Sequence, residues 1–322
     1  MSTLRAITTF AVAGTIATLL GACSSDNDIP PFVQQALLDR YTLSSMDSVP
    51  EGVAFDGQTR AFFATALEGA SITRIEADGT ESDFRPADGR ASLLGAKVDE
   101  ERRRLWVCAR DVDATDNRVW VYDVDTGDMT MEFLLGALAT NGSCNDLALD
   151  SAGNAYVTDS GNPNIYKLDG STGEGSVFAS DPLLDDVTGL GLGLNGIEVL
   201  PDDAGVIAAR LAPAALFHVS LPGGDSITPV ALDGDALPPP DGIIFLDGDL
   251  YTVSDRAVSR VRPNAGFTAG EVTSVEQVSG LSTATVAEGT LYVIKSEVTR
   301  SVLGQPLELP FEIFSVDLGQ FD

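Results

Sequence analysis

The chain has 322 residues and carries 48 acidic against 19 basic side chains, a formal net charge of −29. That balance argues against nucleic acid and bare anionic lipid as partners, because phosphate binding is driven by Lys and Arg; most of the acidity belongs to a solvated, aggregation-resistant surface. With 32 Gly, 16 Pro and 44% apolar residues, the composition suits one large all-β domain rich in turns rather than two smaller domains.

Residues 1–22 read as an export signal. Arg5 supplies a positive start, and residues 6–20 form an apolar run too short to cross about 30 Å of hydrocarbon. The junction Leu20-Gly21-Ala22-Cys23 resembles the lipobox of bacterial lipoproteins. The resemblance implies an exported protein whose lipidated first residue is Cys23, held by its acyl chains at a bacterial membrane, periplasmic or at the cell surface. Residues 23–49 then form a lipidated tether. Within it, residues 32–41 carry Val33, Leu37 and Leu38 at helical spacing and are either a short helix docked on the domain or plain linker.

From residue 50 a short pattern recurs: an oxygen-bearing residue, usually Gly or Asp next, an apolar run, an Asp/Gly turn, then a second strand. Its copies begin Glu51-Gly52-Val53, Asn145-Asp146-Leu147, Asn195-Gly196-Ile197 and Asp241-Gly242-Ile243. The first interval is about double the others and hides a unit at Gly95-Ala96-Lys97-Val98; a sixth begins near Ser282. Six units of about forty to fifty residues built from short alternating strands predict a six-bladed β-propeller over residues 50–322. An α-solenoid of similar period would need apolar residues three and four apart, which these segments lack. The last unit offers three strands, at 282–286, 290–294 and 311–316, and the segment 41–45 is the expected donor of a fourth that removes the open edge and ties the ring shut.

Cys108 and Cys144 fall in consecutive units, so they either bridge or remain two buried thiols. The single His218 is expected on an outer strand, which removes an imidazole zinc site and a catalytic His dyad. In a propeller the innermost strands all start at one rim of the central channel, so Glu51, Asn145, Asn195 and Asp241 should converge. Two carboxylates meeting there repel unless a cation lies between them, and two carboxylates with two amides suit a divalent metal of calcium type, with room left for water and substrate.

The ordered motifs Pro50-Glu51-Gly52, Cys144-Asn145-Asp146, Leu194-Asn195-Gly196-Ile197 and Pro240-Asp241-Gly242 resemble the metal-site motifs of the family that joins senescence marker protein, bacterial gluconolactonases and luciferin-regenerating enzyme, over residues 50–318. The resemblance implies Glu51, Asn145, Asn195 and Asp241 as metal ligands and Asp241 also as catalytic base or nucleophile, in a metal-dependent hydrolase of a lactone or related ester; phosphotriesters suit the same arrangement. Asp146 is a second candidate base or a residue that orients Asn145. Sugar-lactone members carry an Arg where this chain has Ser143, so a more apolar ester or lactone is expected, its mouth lined by loops 137–140 and 190–194. Two other readings stay open: a non-enzymatic NHL-like propeller that binds a partner or ligand, and a strictosidine-synthase-like ring without this metal set. A monomer is expected.

Overall fold

The structure, a computed structural model, describes residues 35–44, 48–111, 117–189 and 191–322. The expected signal 1–22, Cys23 and residues 32–34 lie outside these. Everything below concerns one compact unit, Ala36–Asp322.

The strands sort into six sheets, five of four strands and one of five, and the protein is a six-bladed β-propeller. The inner strands are Pro50–Asp56, Ala91–Asp99, Leu147–Leu149, Leu194–Val199, Ile243–Leu246 and Leu281–Ala287. Neighbouring blades press both faces of each sheet, so strands that alternate in direction bury both sets of side chains. The run Ala61–Ala66 shows this well: Phe62 enters the seam with Tyr41 and Tyr292 of the last blade, while Phe63 enters the next seam with Ile72 and Leu105. Six buried clusters follow, one at each seam between successive blades. Among the described residues no apolar cluster fills the axis itself, which is left to the ends and inward-facing side chains of the inner strands.

The ring is fastened by a strand from before the first blade. Arg40–Thr42 pairs antiparallel with Glu312–Ser315, setting Arg40 opposite Phe314 and Tyr41 opposite Ile313. Tyr41 is 2% exposed and stacks at 5.1 Å from Phe62 and 6.4 Å from Tyr292, so the strand is pinned by packing as well as by its ladder. A helix is not found in the described part of residues 32–41. The chain passes 35–38 without regular structure into the strand, because Tyr41 and Leu43 are buried in alternation with exposed Arg40 and Thr42. Among the described residues, no helix is long and apolar enough to cross a membrane.

The fifth blade carries one strand more than the repeat implies. Ala231–Gly234 adds in parallel to Ala269–Glu276 and covers that blade's outer edge.

Candidate functional site at the propeller axis

Four of the six inner strands open on a local irregularity in their pairing. Ladder register breaks between Pro50 and Val53, Leu93 and Ala96, Leu194 and Ile197, and Leu281 and Ala284. These β-bulges set Glu51-Gly52, Leu94-Gly95, Asn195-Gly196 and Ser282-Thr283 at the channel rim. Asn145-Asp146 and Asp241-Gly242 occupy the same place just before their strands. The second residue is usually Gly because a neighbour lies too close for a side chain. A Cβ at Gly52 would stand 2.4 Å from Leu94 O, and one at Gly196 2.5 Å from Asp241 O.

A circle of hydrogen bonds joins these positions, one at every seam. Thr65 Oγ1 donates to Leu94 O at 2.6 Å, Gly95 N–H to Asn145 O at 3.0 Å and Thr158 Oγ1 to Asn195 O at 2.5 Å. Gly196 N–H donates to Asp241 O at 2.7 Å, Gly242 N–H to Ser282 O at 2.9 Å, and Ser282 Oγ to Glu51 O at 2.7 Å. The four residues singled out from sequence thus share one rim, held by backbone rather than by mobile loops.

Cys108 holds the place on its second strand that Thr65 and Thr158 hold on theirs. It forms a disulfide with Cys144, with Cα atoms 5.4 Å apart across 36 residues, so a covalent link reinforces the seam beside Asn145. Opening a loop of this length should cost about 3–4 kcal/mol in the chain-entropy account. Denaturant unfolding with and without reductant measures it, and an unchanged midpoint would contradict a bracing role.

The rim carboxylates influence one another's charge. Burial raises the Glu51 carboxyl well above its ordinary value, the charges of Asp241 and Asp146 raise it further, and Arg110 opposes them. Asp241 is pushed up to about 7, first by burial and then by Asp146 and Asp255, against a hydrogen bond from the Asn195 amide. Glu51, Asp146 and Asp241 belong to blades 1, 3 and 5, which are not neighbours round the ring, so they meet only across the axis. Asp146 is pushed up to about 6 by burial, and Lys97 is the main influence holding it down. Its Oδ1 accepts from Leu147 N–H at 2.8 Å, which ties it to the start of its own strand.

Two atoms of the cluster are buried without any hydrogen-bond partner, Glu51 Oε2 and Asn145 Oδ1. Native proteins rarely leave buried oxygens unsatisfied. Two hard carboxylates and two amide oxygens form a donor set that fits a divalent cation of calcium type. Among the described residues no group of three or more His, Cys, Asp or Glu is placed to hold an ion, so a site here has to draw on the amides of Asn145 and Asn195. His218 lies on the third strand of its blade, paired with Ile207 and Thr228, away from the axis.

Lys97 of blade 2 and Glu198 of blade 4 form an ion pair, Lys97 Nζ to Glu198 Oε2 at 3.0 Å. A cavity of about 290 Å³ is lined from all six inner strands, including Phe55, Lys97, Leu149, Glu198, Phe245 and Val286. The rim cluster lies toward the face on which the inner strands begin, here the entry face.

The apolar mouth differs from expectation. Leu138 and Ala139 pack against the seam of blades 2 and 3, and Leu194 is fully buried in the next, because these side chains complete inter-blade cores. Leu190 lies outside the described residues. The loops on the entry face instead expose Val187 at 65%, Val278 at 48% and Val302 at 73%. Sequence reading also passed over Arg110, visible only as a charge ending the apolar run Leu105-Trp106-Val107-Cys108-Ala109, and Asp159. Asp159 is fully buried and accepts from Ser143 N–H at 3.1 Å and Tyr166 Oη at 2.5 Å, which fixes the approach to Asn145.

The raised carboxyls set a pH dependence for protein free of metal. Asp241 keeps its proton up to about 7 when folded, whereas an unfolded chain releases it near pH 3.9. Between those values the folded state binds more protons, so its stability falls as pH rises through the window and levels off above it. Thermal melts in chelator should show this fall, and Asp241→Asn should flatten it. Equal slopes for the two proteins would contradict the assignment.

Fold and cluster together define a six-bladed propeller with an acidic, amide-lined rim at its centre. Solved structures of similar architecture include the major Malassezia sympodialis allergen Mala s 1, at TM-score 0.72 and 15% identity over 88% of this chain and 97% of that one. A gluconolactonase of Xanthomonas campestris matches at TM-score 0.62 and 18% identity over 84% and 86% of the two chains. The PQQ-bound aldose sugar dehydrogenase of Streptomyces coelicolor matches at TM-score 0.58 and 14% identity over 86% and 98%. At these identities the likeness is one of fold. No protein-family model matches the chain. No curated protein matches it either.

Proposed function

We propose that this protein is a divalent-metal-dependent hydrolase that opens a lactone or a related ester at the propeller axis, with Ca²⁺ as the expected ion. The observation that carries the reading is the pair of buried, unpartnered oxygens, Glu51 Oε2 and Asn145 Oδ1, on the same rim as an Asp241 carboxyl pushed up to about 7. A gluconolactonase among the similar folds supports it as one chemistry this architecture hosts, although a fold alone does not fix function.

Glu51, Asn145, Asn195 and Asp241 would hold the ion. The chemistry it supplies when bound is polarisation of the ester carbonyl and stabilisation of the developing oxyanion. The protein's own groups do the rest. Asp241 accepts the proton of the attacking water on a carboxylate oxygen, and the Asn195 amide holds that carboxylate in place. Asp146, tied to Leu147 N–H, orients the rim segment that carries Asn145. Ser143 offers no cation to sugar hydroxyls, and the exposed valines of the entry face favour a substrate with an apolar body.

The experiment is a panel of lactones, aryl esters and phosphotriesters assayed with and without chelator, beside metal analysis of the purified domain. One ion per chain and chelator-sensitive turnover support the reading; a metal-free domain without turnover leaves a binding scaffold. Export with acylation at Cys23 belongs to the same proposal. Cys23→Ser should shift the protein from the membrane to the soluble fraction, and equal partition of the two forms would count against an anchor.

A further inference from the structure

We propose that Arg110 is the substrate-reading cation of this site and takes an anionic oxygen group, the carboxylate of a carboxylate-bearing ester or lactone or of the hydroxy-acid product. The inference rests on the hydrolase reading for the identity of the reaction, but not for the binding of the anion.

Arg110 lies near the end of the second strand of blade 2, Arg104–Asp111, opposite Ser92 and two residues beyond the Cys108 that is bonded to Cys144. The disulfide thus holds this strand end beside the segment that carries Asn145. The guanidinium feels the charges of Glu51 of blade 1 and Asp159 of blade 3. Yet it makes no hydrogen bond or ion pair among the described residues, and its Nε is buried without a partner. In this it stands alone among the described arginines. Arg85 binds Asp88 and Ala70 O, Arg103 binds Asp56 and Asp125, and the others likewise reach a carboxylate or a carbonyl.

The two acids near Arg110 do not satisfy it, for different reasons. Asp159 is already saturated by Tyr166 Oη, the Asn162 amide and the backbone N–H groups of Ser143, Gly161 and Asn162. Glu51 keeps its own buried Oε2 unpartnered. Two opposite charges close enough to influence each other, unjoined and each with an orphaned buried atom, present complementary partners to a ligand of both signs. A cation fits the Glu51 side and a negative oxygen group the Arg110 side. A planar fork of donors matches a carboxylate or phosphonate in two-point contact, and an ammonium does not.

The test is calorimetric titration of benzoate, of phenylphosphonate and of neutral benzyl alcohol into wild-type protein, Arg110→Met and Arg110→Lys, in chelator and again in excess Ca²⁺. Both anions should bind the wild type. Loss of a charged hydrogen-bonding partner should weaken them about tenfold or more in Arg110→Met. Arg110→Lys, which keeps the charge without the fork, should fall between, and benzyl alcohol should not distinguish the three proteins. Calcium binding, titrated separately, should be no weaker in Arg110→Met. Anion binding by wild type and Arg110→Met with equal affinity overturns the proposal, as does a wild type that binds neither anion in either condition. A protein that binds no metal but still loses anion binding in Arg110→Met sinks the hydrolase reading and leaves the Arg110 assignment standing. Should Arg110→Met fail to fold, Arg110→Lys decides: both anions should bind it several-fold more weakly than wild type, and equal affinity overturns the proposal.

Discussion

Asp241→Asn is expected to lower lactone or ester turnover by about 10²–10⁴-fold, the range usual for removing a general base, and further if the ion is lost with it. The change is nearly isosteric. The backbone of Asp241 stays tied by its N–H to Val253 O at 2.7 Å and by its O to Gly196 N–H at 2.7 Å, so the rim should keep its shape. What goes is one of the buried negative charges that oppose Glu51 and Asp146. The variant should therefore be more stable than wild type in chelator at neutral pH and gain less from added Ca²⁺, since an ion that binds only the folded state stabilises it by mass action. Glu51→Gln should follow the same pattern. The informative combination is lost activity with improved metal-free stability, read by turnover, metal analysis and melting in chelator. Full turnover in either variant would rule out the mechanism.

Tyr41→Ala carries the largest expected effect on stability. Tyr41 is 2% exposed, packs against Phe62 and Tyr292, and receives a hydrogen bond from Leu38 N–H at 2.9 Å. Truncating an aromatic side chain in such a place costs about 3–5 kcal/mol, a large share of the roughly 5–15 kcal/mol that holds a domain together. For a domain of this size that corresponds to a fall of about 10 °C or more in Tm. Deletion through residue 42 should be worse, because it also strips the ladder from Glu312–Ser315 and reopens a sheet edge. Unfolding should remain a single transition, since blades 1 and 6 share the seam the strand completes. A truncated protein that melts like the intact one would show that the ring does not depend on this strand.

Much of this architecture was legible because propeller blades repeat a local constraint. At Gly52, Gly196 and Gly242 a neighbouring chain leaves no room for a side chain, so the same small residue recurs beside the rim and marks the unit in the sequence. The gathering of Glu51, Asn145, Asn195 and Asp241 at one rim follows from that recurrence. What stayed hidden depends on contacts between distant segments. Nothing local in Ala231–Gly234 announces that it will pair in parallel with Ala269–Glu276, and Leu138 reads the same whether it lines a mouth or fills a seam. The Cys108–Cys144 pairing became decidable only when the two Cα atoms were seen 5.4 Å apart. Arg110 was overlooked for a similar reason: its meaning lies in Glu51 and Asp159, which reach it from two other blades.

The strand that fastens the ring also governs how the molecule is made. Arg40 and Glu312, partners in the finished clasp, are 272 residues apart, so the ribosome releases one long before the other exists. Throughout that interval Phe55 and Phe62 lack the far half of their seam, leaving the growing chain with a greasy flank. Contacts of such span form slowly and expose intermediates to clumping and to proteases. Biogenesis of this protein should accordingly hinge on chaperones until the last forty residues emerge, and a premature stop near residue 280 should yield degraded fragments rather than a smaller working ring.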